Sequence, residues 1–343
     1  MIKFLISGAL VAFLFLTPLV VFFTSPDRNI FENERRTVAP FPKPPEKVRL
    51  RFIQNFLQEL TLFFADSFPL RAALLNLPMT LYEASGDNLD MNKSYRGKEN
   101  WLFLGNQYGR CVDKLQGSVA ISKESLRKQT EHYKEIDRLS TSLGADFVIF
   151  IGPNKSSVYP EYLPPVIIPS PKRFISPLVA SLREAGIKVY DPTDRLVLMK
   201  KQGLLYYRTD THWNLEGSHQ AFEGFRDYMK LPELPPFKLI EAPAMRGDLV
   251  NISGYRAFPI TSGDNYELSW DTLAGTEKKK ESDKNIWVIG DSFMEALRPY
   301  ISATFKAPRF FSSLEKFDRI IAGQPDKPDL IVWVIVERNF AND

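Results

Sequence analysis

The stretch that decides the fold is NIWVIGDSF, residues 285–293. Four consecutive large apolar residues, Ile286 to Ile289, run into a glycine with no polar alternation. That pattern reads as a strand covered on both faces, ending in a turn. Two further runs of the same kind, DFVIFIGP at 146–153 and DLIVWVIVER at 329–338, read as its neighbours. Shorter strands are expected at 187–192 (IKVYDP) and 98–104 (KENWLFL). Between them lie three amphipathic helices. One covers 122–143, opening S-K-E-S and stopping before Gly144; one covers 173–185, ending at Gly186; one covers 214–229. Uninterrupted strands alternating with helices predict an α/β domain with a mostly parallel sheet covered on both faces. Such sheets bind ligands outside the carboxyl ends of their strands. Residues 232–284 are rich in proline and charge and read as insertion loops and short strands, with KKKESDK at 278–284 a solvated loop.

Three segments fall where such a sheet places a site. Gly290-Asp291-Ser292 follows the deciding strand, so the serine hydroxyl sits at a carboxyl end, near N–H groups that can stabilise an oxyanion. The same tripeptide also reads as a turn with a capping serine. RTDTHWNLEGSHQAF, residues 208–222, sets Asp210 and His212 one residue apart. A carboxylate beside an imidazole fixes its tautomer and supports its protonated form. Trp213 and Asn214 crowd into the same five residues, a density that suits the rim of a site, and Asn214 is placed to cap the following helix. GPNKSSVYPEYLP, residues 152–164, leaves the end of another strand and projects Asn154 and Lys155 toward the same region; a plain Pro-Asn turn is the alternative. Glu337 and Arg338 end the last strand and reach the site or form a buried ion pair. Serine, histidine and aspartate supply a nucleophile, a base and an orienting group for acyl transfer or ester hydrolysis. The chain has only three histidines. His132 reads as exposed on a charged helix and His219 as a packed or exposed helix residue, which leaves His212 as the base.

The remainder bounds the function. The chain has 343 residues, of which 25% are charged and 44% hydrophobic, a globular composition. Lys plus Arg number 44 and Asp plus Glu 41, giving +3, which argues for no nucleic-acid partner. One cysteine, Cys111, rules out an intramolecular disulfide framework and a thiolate metal cluster. No metal-ligand box, P-loop or dinucleotide fingerprint is present, so neither a metal nor a cofactor is expected. Residues 4–23 contain no charge, and 20 residues at about 1.5 Å each span roughly the hydrocarbon core of a bilayer. Lys3 precedes the run, and VVFFTSPD at its exit has no A-x-A cleavage pattern, which favours an uncleaved signal-anchor over a cleaved signal peptide. The expected organisation is a transmembrane signal-anchor over 1–24, a Pro-rich stalk and helical segment over 25–95 that packs on the body, and a catalytic domain over 96–343 outside the cytoplasm.

DTHWN at 210–214 together with GDSF at 290–293 resembles the alginate O-acetyltransferase family of AlgJ/AlgX type. ENERRTVAPFP at 32–42, ADSFPLR at 65–71, KENWLFL, PNKSSVYPEYLP and RGDLV at 246–250 are similar to that family as well. The resemblance implies an SGNH-hydrolase-like three-layer domain in the periplasm, tethered to the inner membrane, that adds acetyl groups to an exopolysaccharide. It implies Ser292 as nucleophile, His212 as base and Asp210 as its partner; Asn154, Lys155, Trp213 and Arg338, by their places on the chain, are expected toward the substrate. It also implies an acetyl donor supplied by a membrane-bound O-acyltransferase. An acetyl esterase of the same fold, or a non-catalytic scaffold in a polymer-export complex, is the alternative.

Overall fold

The computed structural model describes residues 40–43, 50–67, 92–253, 258–270, 282–314, 317–324 and 326–341. They fall into two units: 92–253 with 259–341, and 40–43, 50–67 and 258. In the smaller unit, Phe56, Leu60 and Phe63 of helix α1 (Leu50–Ser67) are less exposed than their neighbours. Phe41 meets Phe63 edge-on, ring centroids 5.1 Å apart. No helix among the described residues is long and apolar enough to cross a membrane, and residues 4–23 lie outside them.

The larger unit is organised by β3 (Asp146–Gly152), β7 (Ile286–Gly290) and β9 (Leu330–Val336), the three apolar runs. With β4 (Lys188–Tyr190) and β8 (Arg309–Ser312) they form a five-stranded, wholly parallel sheet in the order β4-β3-β9-β7-β8. Side chains alternate between faces, so each run serves two cores. Val148, Phe150, Val288, Val332 and Val334 face α7 (Leu215–Met229) and α9 (Arg298–Thr304). Phe147, Ile149, Ile289, Ile331 and Trp333 face α3 (Lys123–Ser142), α5 (Ser176–Glu184) and α10 (Phe317–Ala322). The result is the expected three layers.

The register places the site. Gly152 pairs with Val336, and Gly290 with Val334, so the carboxyl ends of β3, β9 and β7 lie side by side. The unit also holds two antiparallel ribbons: β1 (Ser94–Arg96) with β2 (Leu102–Leu104), and β5 (Phe237–Glu241) with β6 (Tyr266–Trp270). The run 98–104 is therefore not one strand. Lys98–Asn100 makes a 3-10 turn in which Glu99 and Asn100 take φ of 53° and 61°, and pairing begins only at Leu102. The helix expected from 173 starts at Ser176 with Pro177 in its first turn, where a missing N–H costs nothing.

Candidate active site

Three strand ends and one turn build the site. At the end of β7 the capping residue is Asp291, not Ser292. Its carboxylate accepts from the Phe293 N–H at 3.0 Å and from the Val336 N–H at 2.7 Å, stitching the turn to β9. Burial raises the Asp291 carboxyl, against the two N–H bonds that favour its charged form. With capping done by its neighbour, the exposed Ser292 opens the 3-10 helix Ser292–Leu297 with its hydroxyl free for other work.

That hydroxyl meets His212. Ser292 Oγ lies 2.7 Å from His212 Nε2, and His212 Nδ1 lies 2.6 Å from Asp210 Oδ1. Hydroxyl, imidazole and carboxylate thus stand in hydrogen-bonded succession, the order needed to draw a proton from a serine. Asp210 Oδ1 also accepts from the His212 N–H at 3.0 Å, and Oδ2 from the Asp248 N–H at 2.9 Å. Burial by itself would raise the Asp210 carboxyl; the bond from His212, that ring's charge and the two backbone N–H groups outweigh it and hold the group at about 2. The acid is therefore charged at neutral pH.

The turn that carries Asp210 and His212 is held from all sides. Tyr206 and Trp213 form an isolated antiparallel bridge at its base. Asn214, fully buried, caps α7 by accepting from the Gly217 N–H at 2.9 Å, and its amide donates to Leu204 O and Asp264 O. At the N-terminus of α8 (Asp248–Ser253), Asp248 accepts from the Thr211 N–H and hydroxyl at 2.8 and 2.7 Å. Gly247 lies so close that a Cβ there would sit 2.2 Å from Thr209 O and 2.5 Å from Asp210 N, both backbone atoms. Gly247→Ala is accordingly expected to displace the turn, lowering stability by about 1–3 kcal/mol and activity with it; thermal unfolding and acetyl-ester hydrolysis measured on the same preparation check this.

The four remaining expected site residues separate. Trp213 does not face a ligand: it is 1% exposed, its Nε1–H donates to Phe293 O at 3.2 Å, and its ring packs edge-on against Phe293. It ties the histidine turn to the serine turn. Lys155 does not face a ligand either; it is 4% exposed and its ammonium is enclosed by backbone carbonyls. Asn154 is half-buried, its N–H donates to Glu337 Oε2 at 2.8 Å, and its side-chain amide makes no hydrogen bond among the described residues. The Arg338 guanidinium lies over the Phe293 ring, 5.6 Å from its centroid, and forms no ion pair among the described residues. Glu337 forms the buried ion pair, meeting Arg173 at 2.8 Å and accepting from Ser157 Oγ. Asn154, Ser156 and Arg338 line both a narrow hollow reaching Thr211 and an adjoining cavity of about 190 Å³ that extends to Lys114 and Arg173. His132 is exposed, and His219 packs between Phe237 and Tyr300. Asp210, His212 and Asp248 are close enough to share a cation, but each already bonds within the turn.

Residues that the sequence did not single out are Asp248 and Thr211, which brace the triad turn, and Arg173, which braces Glu337. Asp248 stood inside the quoted RGDLV, 38 residues from Asp210, with no local sign of the partner.

A three-layer α/β/α domain with a serine ending one central strand and a D-x-H turn across from it is an SGNH-hydrolase-like domain. The family profile described as "SGNH hydrolase-like domain, acetyltransferase AlgX" matches residues 95–336, and the chain belongs to that family. The O-acetyltransferase domain of Pseudomonas putida AlgJ superposes with a TM-score of 0.52 at 17% identity, over 73% of this chain and 93% of that one. AlgX of Pseudomonas aeruginosa gives 0.51 at 15%, over 73% and 63%. A DHHW family protein from Eubacterium siraeum gives 0.53 at 12%, over 75% and 95%. At these identities the likeness is one of fold. Among curated protein sequences none matches.

Proposed function

We propose that this chain is an O-acetyltransferase that modifies an exopolysaccharide through an acetyl-Ser292 intermediate. The observation that carries the reading is the pair of contacts at His212, 2.7 Å to Ser292 Oγ and 2.6 Å to Asp210 Oδ1. Ser292 Oγ attacks the acetyl carbonyl of the donor while His212 Nε2 takes its proton. The imidazolium, stabilised by Asp210, returns that proton to the leaving group as its bond to the acetyl carbon breaks. A sugar hydroxyl then attacks the acetyl-serine, passes its proton to His212, and Ser292 departs reprotonated. The oxyanion formed in each step lies against the Ser292 N–H, with the unengaged Asn154 amide as second donor, and Arg338 lines the approach. The family supports acetyl transfer as the chemistry, and the resemblance of the sequence to the alginate O-acetyltransferase family supports an exopolysaccharide of the alginate kind as acceptor.

The setting proposed with it is a single pass through the inner membrane by residues 4–23, as a signal-anchor within 1–24, a stalk over 25–95 and a periplasmic catalytic domain over 96–343. A membrane-bound O-acyltransferase supplies the acetyl groups. One observation favours a second reading: Ser292 is exposed, so water reaches an acetyl-serine there as readily as a sugar does, and the same residues would serve an acetyl esterase. Incubating the protein with p-nitrophenyl acetate and uronate or neutral oligosaccharides, then weighing the products, separates the two. Acetylated oligosaccharide is the expected result; free acetate alone would transfer the assignment to an esterase, and no turnover at all would favour the scaffold.

A further inference from the structure

The strongest unexplained feature is a buried cation beside the base. Lys155 opens the short helix α4 (Lys155–Val158) after β3, and its side chain reaches into the turn between Tyr206 and Trp213. There Nζ donates to three carbonyls: Tyr207 O at 2.9 Å, Arg208 O at 3.0 Å and Asp210 O at 2.7 Å. The rings of Trp101 and Phe103 close the other side, 5.6 and 5.4 Å from Nζ. An ammonium has three hydrogens and all three are used, so no donor remains for a ligand. Carbonyl dipoles converging on one point repel one another, and a cation among them reverses the sign of that interaction. One of the three belongs to Asp210, whose carboxylate orients His212. The charged groups facing Nζ are Asp210, Asp248 and Asp264.

We propose that Lys155 is a positioning residue of the acetyl-transfer reaction, a charged tie inside the turn that holds Asp210 and His212 within reach of Ser292. The inference rests on the roles proposed above for those three residues. A turn selected by one cation is a turn whose shape depends on that cation. Without it the three carbonyls lose their common partner, the backbone opens, and the imidazole leaves its line between carboxylate and hydroxyl. Burial lowers the Lys155 ammonium from its ordinary value, against the pull of the three aspartates, while the three carbonyls call for the three hydrogens that only the charged form has. A neutral amine has two hydrogens and could serve only two of the carbonyls.

The test uses the full chain with Lys155→Met and Lys155→Gln, and with Lys155→Arg as the charge-keeping variant. Three quantities are read at a temperature where each variant is folded: the rate of Ser292 labelling by phenylmethanesulfonyl fluoride, kcat and KM for p-nitrophenyl acetate, and the downfield proton resonance of the His212–Asp210 hydrogen bond. The neutral variants are expected to label on the order of 10²-fold more slowly, with kcat lowered, KM little changed and the downfield resonance lost. Lys155→Arg is expected to recover part of each. Wild-type labelling and resonance in a folded neutral variant would overturn the proposal. So would failure of all three variants to fold, which would make the residue purely structural. If Ser292 of the unmodified protein is not labelled, the serine reading fails instead, and the resonance alone decides the tie.

Discussion

Ser292→Ala is expected to fold as the wild type does and to leave its polymer without acetyl ester. Ser292 is exposed and, among the described residues, its hydroxyl hydrogen-bonds only with His212, so removing one oxygen opens no cavity and leaves no buried group unpaired. The capping of the 3-10 turn is unaffected, because Asp291 performs it. The chemical effect is total for a covalent route: no acetyl-enzyme forms, and turnover falls by about 10⁶-fold where such a serine has been removed from related chemistry. Acetyl content of the secreted polymer, measured in cells carrying the variant, reads the outcome. Unchanged acetylation with normal protein levels would remove Ser292 from the mechanism.

Asp210→Asn is expected to have the next largest effect, a loss of about 10⁴-fold in kcat. Asp210 Oδ1 faces both nitrogens offered by His212, and Oδ2 faces the Asp248 N–H. An amide serves only one side. With its oxygen toward His212 it turns an NH₂ against the Asp248 N–H; with its NH₂ toward His212 it demands the tautomer whose Nε2 bears the proton and cannot accept one from Ser292. Either way the negative charge that stabilises the imidazolium is gone. Stability follows pH in a definite sense. The folded carboxyl titrates at about 2 against an ordinary 3.8, so the charged group contributes stability in full above its ordinary value. That contribution is lost as pH falls from about 4 toward 2. Acid unfolding of the wild type should show this slope, and Asp210→Asn should lack it; identical acid limbs would contradict the assignment.

Much of this was legible in the residues. Runs such as FVIFI and IWVI have no polar alternation, are short and are rich in β-branched and aromatic residues, which fits a strand buried on both faces, so β3, β7 and β9 were plain. The D-x-H pair and the serine after Gly290 were legible because each lies beside an element boundary that the sequence marks. Side-chain direction was not. Trp213 and Lys155 occupy the expected places on the chain yet point inward, to Phe293 O and to three carbonyls, because partners from distant segments receive them. Nothing near residue 155 announces a turn more than 50 residues away. The left-handed conformation of Glu99 and Asn100 shortened one expected strand; asparagine adopts it more readily than most residues, but glutamate gives no sign of it in the sequence.

The position of β9 carries a consequence for how the site comes into being. The strand latest in sequence occupies the middle of the sheet, with β3 on one side and β7 on the other. A chain emerging from its amino end therefore delivers the histidine turn and the serine well before the element that separates and aligns them. Until residues 330–336 arrive, β3 and β7 have a gap between them one strand wide, and Asp291 has no Val336 N–H to grip. The turn that carries Ser292 thus draws one of its two Asp291 bonds from the last strand of the sheet, so a chain cut before Val336 is expected to hold that turn less firmly.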